Sequence, residues 1–149
     1  AKEASILVRK HRLWEVFLVE KLNFQWNDVH QEAEVLEHAT SDELANRLEA
    51  FLNYPKHCPH GGAIPEEKGA FPEQHHQNLT EFVVGDVVNI KRVLDEKELL
   101  DYLVSIGLEV GKEYCVVHYS DYQGPIFLKD NERSIQISYK AALNIFAEK

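Results

Sequence analysis

Histidines and glutamates recur in the first forty residues at spacings that can do metal chemistry. His11 and Glu15 stand four apart, and His30, Glu34, Glu37 and His38 follow at steps of four, three and one. Side chains at those offsets share one helix face, with Cβ atoms about 5 to 6 Å apart. Two such helices packed antiparallel bring three carboxylates and three imidazoles into one pocket, whose mutual repulsion a divalent cation removes. A solvated acidic face is the other reading of the same residues. A second set of ligand types lies in the stretch 56–65, where Cys58 and His60 are separated by Pro59. An extended backbone cannot aim both at one ion unless Pro59 turns the chain; an ordinary linker with a free thiol is the alternative. Glu34 to His38 resembles the inverted zinc-protease signature with glutamate in place of its first histidine. The Glu-x-x-His pairs of di-iron bundles are also missing, so a hydrolase or oxygenase is not expected.

These residues need helices to position them. Ile6, Leu7, Leu13, Trp14, Phe17, Leu18 and Leu22 are spaced for an amphipathic helix over 2–22, ending near Asn23. A second helix is expected from an N-cap at Asn27 or Asp28 through Val29, Ala33, Leu36 and Ala39. A third starts at Ser41, has Asp42 and Glu43 at the positive end of its dipole, and buries Leu44, Leu48, Phe51 and Leu52 before Pro55. Short connections make the three an antiparallel bundle. Pro, Gly, Glu and His then crowd 55–78, a linker composition. Beyond Leu79 short β-rich runs at 83–93, 113–118, 126–128, 134–138 and 143–146, with one helical stretch at 95–106, predict a small barrel.

The 149 residues are 44% hydrophobic and 28% charged, a globular composition. No apolar run reaches the roughly 20 residues of a membrane span, and the charged start 1–4 is not a secretion signal, so the expected compartment is the cytoplasm and no membrane partner is expected. Two distant cysteines, Cys58 and Cys115, make no disulfide framework. The net charge of -9 is spread along the chain: 1–65 carries 7 basic and 10 acidic side chains, and 81–149 carries 8 and 12. Neither part offers a phosphate-binding face. The chain has no methionine, so a segment upstream of Ala1 is expected.

Three ordered motifs are more specific than periodicity. They are Arg9-Lys10-His11-Arg12-Leu13-Trp14-Glu15; then His30-Gln31-Glu32-Ala33-Glu34 with Glu37-His38 and Ser41-Asp42-Glu43; then Cys58-Pro59-His60-Gly61 with Ile64-Pro65. Together they resemble the diphtheria toxin repressor family of iron- and manganese-dependent transcription regulators. The resemblance covers that family's dimerisation and metal-binding domain over 1–65. The tail, with Gly85-Asp86 and Val110-Gly111, is similar to the family's SH3-like (FeoA-like) domain.

The resemblance implies an α+β chain: a three-helix metal-binding and dimerisation domain at 1–65, a linker at 66–78 and an SH3-like β-barrel at 79–149. It implies a primary metal site from His11, Glu34, Glu37 and His38, with a further ligand from an N-terminal DNA-binding helix that this chain lacks. Glutamate at position 34, where iron-responsive members have cysteine, implies Mn²⁺, with Fe²⁺ open and Zn²⁺, Co²⁺ or Ni²⁺ as substitutes. A secondary site is implied from Glu15, Cys58, His60 and an acid of the SH3-like domain, Asp95 with Glu96 behind it. Other members build it from His11, Glu15 and His30. The implied function is the metal-sensing, dimerising part of a metal-dependent repressor. The expected partners are a second copy, through Trp14, Leu18 and Phe51, and operator DNA, reached only through a winged helix-turn-helix absent from this chain. A stand-alone metal-binding or delivery module with an SH3-like docking domain is the alternative, and an enzyme is not expected.

Overall fold

Leu13, Val16 and Leu18 recur along the first helix and decide what packs on it. The computed structural model describes residues 2–68 and 76–149, and only the backbone of Lys2 and Glu3. It comprises two units, Ala1–Gln74 and His75–Lys149. The part of the expected linker at 69–75 lies outside the described residues.

The first unit holds α1 (Lys2–Leu22), α2 (His30–Ala39) and α3 (Asp42–Phe51). Leu13 and Val16 pack with Ala45 and Leu48 of α3 and with Cys58 and Ile64 of the loop beyond it. Leu18 instead packs with Val29 and Ala33. α1 thus carries both partner helices on its apolar surface. Asn23, at φ 60°, ends α1 in the left-handed conformation that asparagine tolerates better than most side chains. α2 starts later than expected: the Asp28 amide donates to the Gln25 carbonyl at 2.9 Å and closes a turn over 25–28, leaving Val29 as an N-cap without a side-chain bond. α3 starts as expected, with Ser41 accepting from the Leu44 amide at 3.1 Å.

Three expected positions differ. Leu44 and Phe51 are 44% and 63% exposed rather than buried, while Leu18, expected at a dimer surface, is 4% exposed inside this unit's own core. Helical spacing identifies the apolar side of α3, but not which of its residues reach α1. A polar contact also joins the two helices: the buried Arg9 guanidinium donates to Asn46 Oδ1 at 3.0 Å and Glu49 Oε1 at 2.9 Å. Trp14 Nε1 donates to Thr40 Oγ1 at 2.7 Å, and Thr40 Oγ1 donates to the Leu36 carbonyl at 2.6 Å, closing the last turn of α2.

The second unit is an antiparallel sheet of β1 (Gln77–Asn78), β2 (Val87–Val93), β3 (Glu113–Tyr119), β4 (Ile126–Lys129), β5 (Ser134–Ile137) and β6 (Ile145–Glu148). Their order is β1-β6-β2-β3-β4-β5, with β1 and β5 as its ends. α4 (Lys97–Ile106) lies against β5, and a short α5 (Tyr139–Ala142) precedes β6. The expected strand at 83–93 begins only at Val87, because Asp86 accepts from the Val83 amide at 2.9 Å and Gly85 takes φ +97°, making a turn of 83–86. The two-residue β1 and the four-residue α5 are too short to leave a periodic signal. Gly107 ends α4 at φ +78°, and a Cβ there would lie 2.0 Å from the Arg133 guanidinium, which donates to the Gly107 carbonyl.

Lys112 and Asp130 pair at 2.9 Å. The Lys112 ammonium, followed by the Glu132 and Arg133 amides, holds the Asp130 carboxyl well below its ordinary 3.8, and Asp130 in turn raises Lys112 above 10.5. The lowered carboxyl contributes stability above its unfolded value that fades as pH falls through the folded one. The raised ammonium contributes below 10.5 and fades as pH climbs past its folded value. The destabilisation caused by Asp130→Asn is therefore expected at neutral pH and should vanish in acid, where the unaltered chain loses the same charge; urea titrations at several pH values check this. Leu103 of α4 is fully buried while Val104 is 42% exposed. Leu103→Ala should cost about 2 to 5 kcal/mol in urea unfolding, and Val104→Ala about 0.5 kcal/mol or less.

Candidate metal centre

One α1 carboxylate sits at the centre of the first unit's polar interior. Glu15 is 1% exposed, and its Oε2 lies 3.2 Å from His11 Nε2 and 3.4 Å from His60 Nδ1. Neither approach completes a hydrogen bond, so Oε2 is a buried oxygen with no hydrogen-bond partner among the described residues. Such an atom costs free energy unless something positive reaches it.

The helix places His11 one turn before Glu15, and α2 supplies what lies opposite. His11 Nδ1 is 2.7 Å from Glu37 Oε1. A carboxylate accepts, so Nδ1 is the protonated nitrogen and Nε2 is turned toward Glu15. The His30 ring lies 4.8 Å from that of His11, centroid to centroid. His11, Glu15 and His30 each offer a ligand atom within 4.8 Å of the others.

The loop after α3 supplies a second trio around the same glutamate. The Gly61 amide donates to the Cys58 carbonyl at 2.9 Å, closing a turn with Pro59 and His60 at its centre. Proline's fixed φ suits the second position of such a turn. This is the bend that one ion shared by Cys58 and His60 requires. The Cys58 amide donates to the Gly62 carbonyl at 2.9 Å and tightens the loop further, while Arg12 of α1 donates to the Ala63 carbonyl. A Cβ at Gly62 would stand 3.0 Å from the Arg12 guanidinium, which would have to give by a few tenths of an ångström. Cys58 Sγ thereby comes 4.0 Å from His60 Nδ1, and Glu15, Cys58 and His60, all buried, each offer a ligand atom within 4.8 Å of the others.

Both trios suit a divalent ion. Bonds of about 2.0 to 2.3 Å put two ligand atoms at most about 4.6 Å apart, and the separations of 3.2 to 4.0 Å between Glu15 and His11, Glu15 and His60, and Cys58 and His60 fall inside that span. The orphaned Glu15 oxygen is the atom such an ion would satisfy. One trio is imidazole and carboxylate; the other adds a thiol, a softer donor.

The expected ligands of α2 other than His30 are not in these trios. Glu34 is 60% exposed and pairs with His30 at 3.5 Å. His38 is exposed on the last turn of α2. Of the four residues expected at a primary site, His11 and Glu37 are hydrogen-bonded to each other, while Glu34 and His38 open to solvent. Asp95 belongs to the other unit, between β2 and α4, with Glu96 the N-cap of α4. Trp26 was not foreseen: its carbonyl oxygen is 2.6 Å from His60 Nε2. A backbone carbonyl leaves no trace in residue type, so no spacing argument could have found it.

Glu15→Gln keeps the side chain's shape and removes the charge common to both trios. Loss of a ligand's supporting partner alone typically costs 10- to 100-fold in metal affinity. Glu15→Gln should therefore weaken Mn²⁺ binding by about tenfold or more in calorimetry, and an unchanged isotherm contradicts the shared role of Glu15.

Comparison with known proteins identifies the family. Residues 1–66 match the family model described as iron dependent repressor, metal binding and dimerisation domain, and residues 77–149 match the FeoA domain. The iron-dependent repressor IdeR of Mycobacterium leprae is 30% identical across 98% of this chain and 69% of its own length. A solved manganese-dependent transcriptional repressor in complex with manganese superposes with a TM-score of 0.92 at 36% identity, covering 99% of this chain and 71% of that one. A probable metal transport system membrane protein of Chlamydia trachomatis is 48% identical over 63 residues, 42% of this chain but 14% of its own length. This chain therefore spans only part of each of these relatives. Among its described residues no helix is long and apolar enough to cross a membrane. The chain, a helical unit followed by a six-stranded one, belongs to the iron-dependent repressor family.

Proposed function

We propose that this chain is the metal-sensing and dimerising part of a Mn²⁺- or Fe²⁺-dependent transcriptional repressor, acting in the cytoplasm as a regulator rather than an enzyme. The observation that carries the reading is the buried Glu15 oxygen between His11 and His60, which has no hydrogen bond to satisfy it. The repressors named among its relatives support the regulatory role.

The proposed primary site is His11, Glu34, Glu37 and His38. The proposed secondary site is Glu15, Cys58 and His60, and His30 stands in reserve beside His11 and Glu15. A divalent ion bound there supplies the positive charge that lets these carboxylates and lone pairs converge. The chain's own residues do the rest: Glu37 orients His11, the Pro59 turn aims Cys58 and His60, and α1 holds Glu15 between them. Because the ligands come from α1, α2 and the loop beyond α3, occupancy fixes these elements against each other. An ion at about 100 times its dissociation constant favours the competent arrangement by at most about 2.7 kcal/mol, up to roughly a hundredfold shift in population. Operator DNA is reached through a winged helix-turn-helix upstream of Ala1. Dimerisation uses apolar side chains left exposed on the helical unit, Phe51 at 63% and Leu44 at 44%, seven residues apart on α3.

A metal-delivery module with an SH3-like docking domain is the second reading, favoured by the 48% identity to the chlamydial transport protein. The coding sequence upstream of Ala1 separates the two, since a winged helix-turn-helix supports the repressor and a membrane permease or a start codon supports delivery.

Glu34→Ala and His38→Ala should each lower Mn²⁺ affinity by about tenfold or more, while Cys58→Ala affects a separate binding event. Calorimetry reads both, and unchanged affinity in both α2 variants removes the primary site from the proposal. Phe51→Asp should convert a dimer to a monomer in sedimentation; a persistent dimer moves the interface elsewhere.

A further inference from the structure

Trp26 lies in the 25–28 turn between α1 and α2 and meets His60 in two ways. Its carbonyl oxygen is 2.6 Å from His60 Nε2. Its indole lies over the imidazole with ring centroids 5.6 Å apart and planes inclined by 27°. A carbonyl oxygen can only accept, so at that distance Nε2 carries the proton and donates it. The neutral ring then keeps its lone pair on Nδ1. That nitrogen faces Glu15 Oε2 at 3.4 Å and Cys58 Sγ at 4.0 Å.

The opposite tautomer would set the Nε2 lone pair against the Trp26 oxygen, two acceptors at hydrogen-bond distance in a buried site. Rotating the ring about its bond to Cβ meets the stacked indole on one side. His60 is itself 1% exposed, and its backbone is held by the turn that Cys58 and Gly61 close. The ring thus has one comfortable orientation, and in it the lone pair points to where Glu15 and Cys58 converge.

We infer that Trp26 is a positioning residue for His60: its carbonyl fixes the tautomer and its indole fixes the ring plane, so that His60 takes an ion through Nδ1. The inference rests on the reading of Glu15, Cys58 and His60 as a metal site. It adds that the α1–α2 turn, which contributes no ligand of its own, sets the affinity of a site lying on α1 and the loop after α3. A ligating imidazole whose remote N–H is held by a carbonyl loses 10- to 100-fold in affinity when that partner is disturbed.

The test is NMR of the whole 149-residue chain carrying nitrogen-labelled histidine, first without metal and then with an NMR-active cadmium isotope as Cd²⁺. The expected result is a His60 proton on Nε2 in both states and cadmium coupling to Nδ1. In parallel, Trp26→Ala, which keeps the carbonyl but removes the stacked ring that anchors the turn, should lower Cd²⁺ affinity by about 10- to 100-fold, and Trp26→Phe should restore it to within a few-fold. A proton on Nδ1, coupling to Nε2, or full affinity in Trp26→Ala overturns the inference and leaves the site itself standing. Absence of cadmium coupling to either nitrogen of His60 overturns the reading of the site as well. The spectra of the unaltered chain keep the question decidable even if Trp26→Ala fails to fold.

Discussion

A carboxylate buried to 1% exposure between two imidazoles, with one oxygen left without a hydrogen bond, is a position that a protein does not hold cheaply. Desolvating a charged oxygen costs several kcal/mol unless a partner meets it. The first unit is arranged around that cost. Leu13 and Val16 of α1 pack into α3 and the loop beyond it, and this fixes the face on which Glu15 and His11 must lie. Leu18 packs into α2, which brings Glu37 and His30 to the same place. The apolar contacts stabilise the unit, and they commit the polar groups to converge.

Convergence on one glutamate is also what makes the arrangement suited to sensing. His11, with its Nδ1 on Glu37, presents Nε2 to Glu15 from one side; His60, with its Nε2 on the Trp26 carbonyl, presents Nδ1 from the other. In both rings the nitrogen remote from Glu15 is occupied by an acceptor. In its neutral form a ring held this way turns its lone pair toward the carboxylate, a poor arrangement for hydrogen bonding and a good one for a shared cation. A cluster of this kind responds to an ion because α1, α2 and the loop after α3 each contribute to it, so the ion's binding energy acts on their mutual arrangement.

How much of this could be read from the chain follows from the range of each signal. The His11/Glu15 and His30/Glu34/Glu37/His38 spacings were legible because helix geometry is local, and the bend at Pro59 was legible as a requirement before it was seen as a turn. The α+β order, with helices first and a β-rich tail, followed from a change of hydrophobic period. Tertiary choices were not legible. Periodicity placed Leu18 and Phe51 on apolar faces, but only packing sends Leu18 to the core and leaves Phe51 exposed. Val83 and Val84 have β-forming side chains, yet Gly85 and Asp86 close them into a turn. The Trp26 carbonyl was invisible because every residue has one.

The central claim is that Glu15, Cys58 and His60 close on one ion, and electronic spectroscopy of the Co²⁺-loaded chain tests it most directly. The account predicts a thiolate-to-cobalt charge-transfer band in the near ultraviolet that disappears in Cys58→Ser and weakens in His60→Ala. Weak ligand-field bands alone, the same with and without the thiol, would mean that the ion binds away from Cys58 and that the buried glutamate has some other reason to be there.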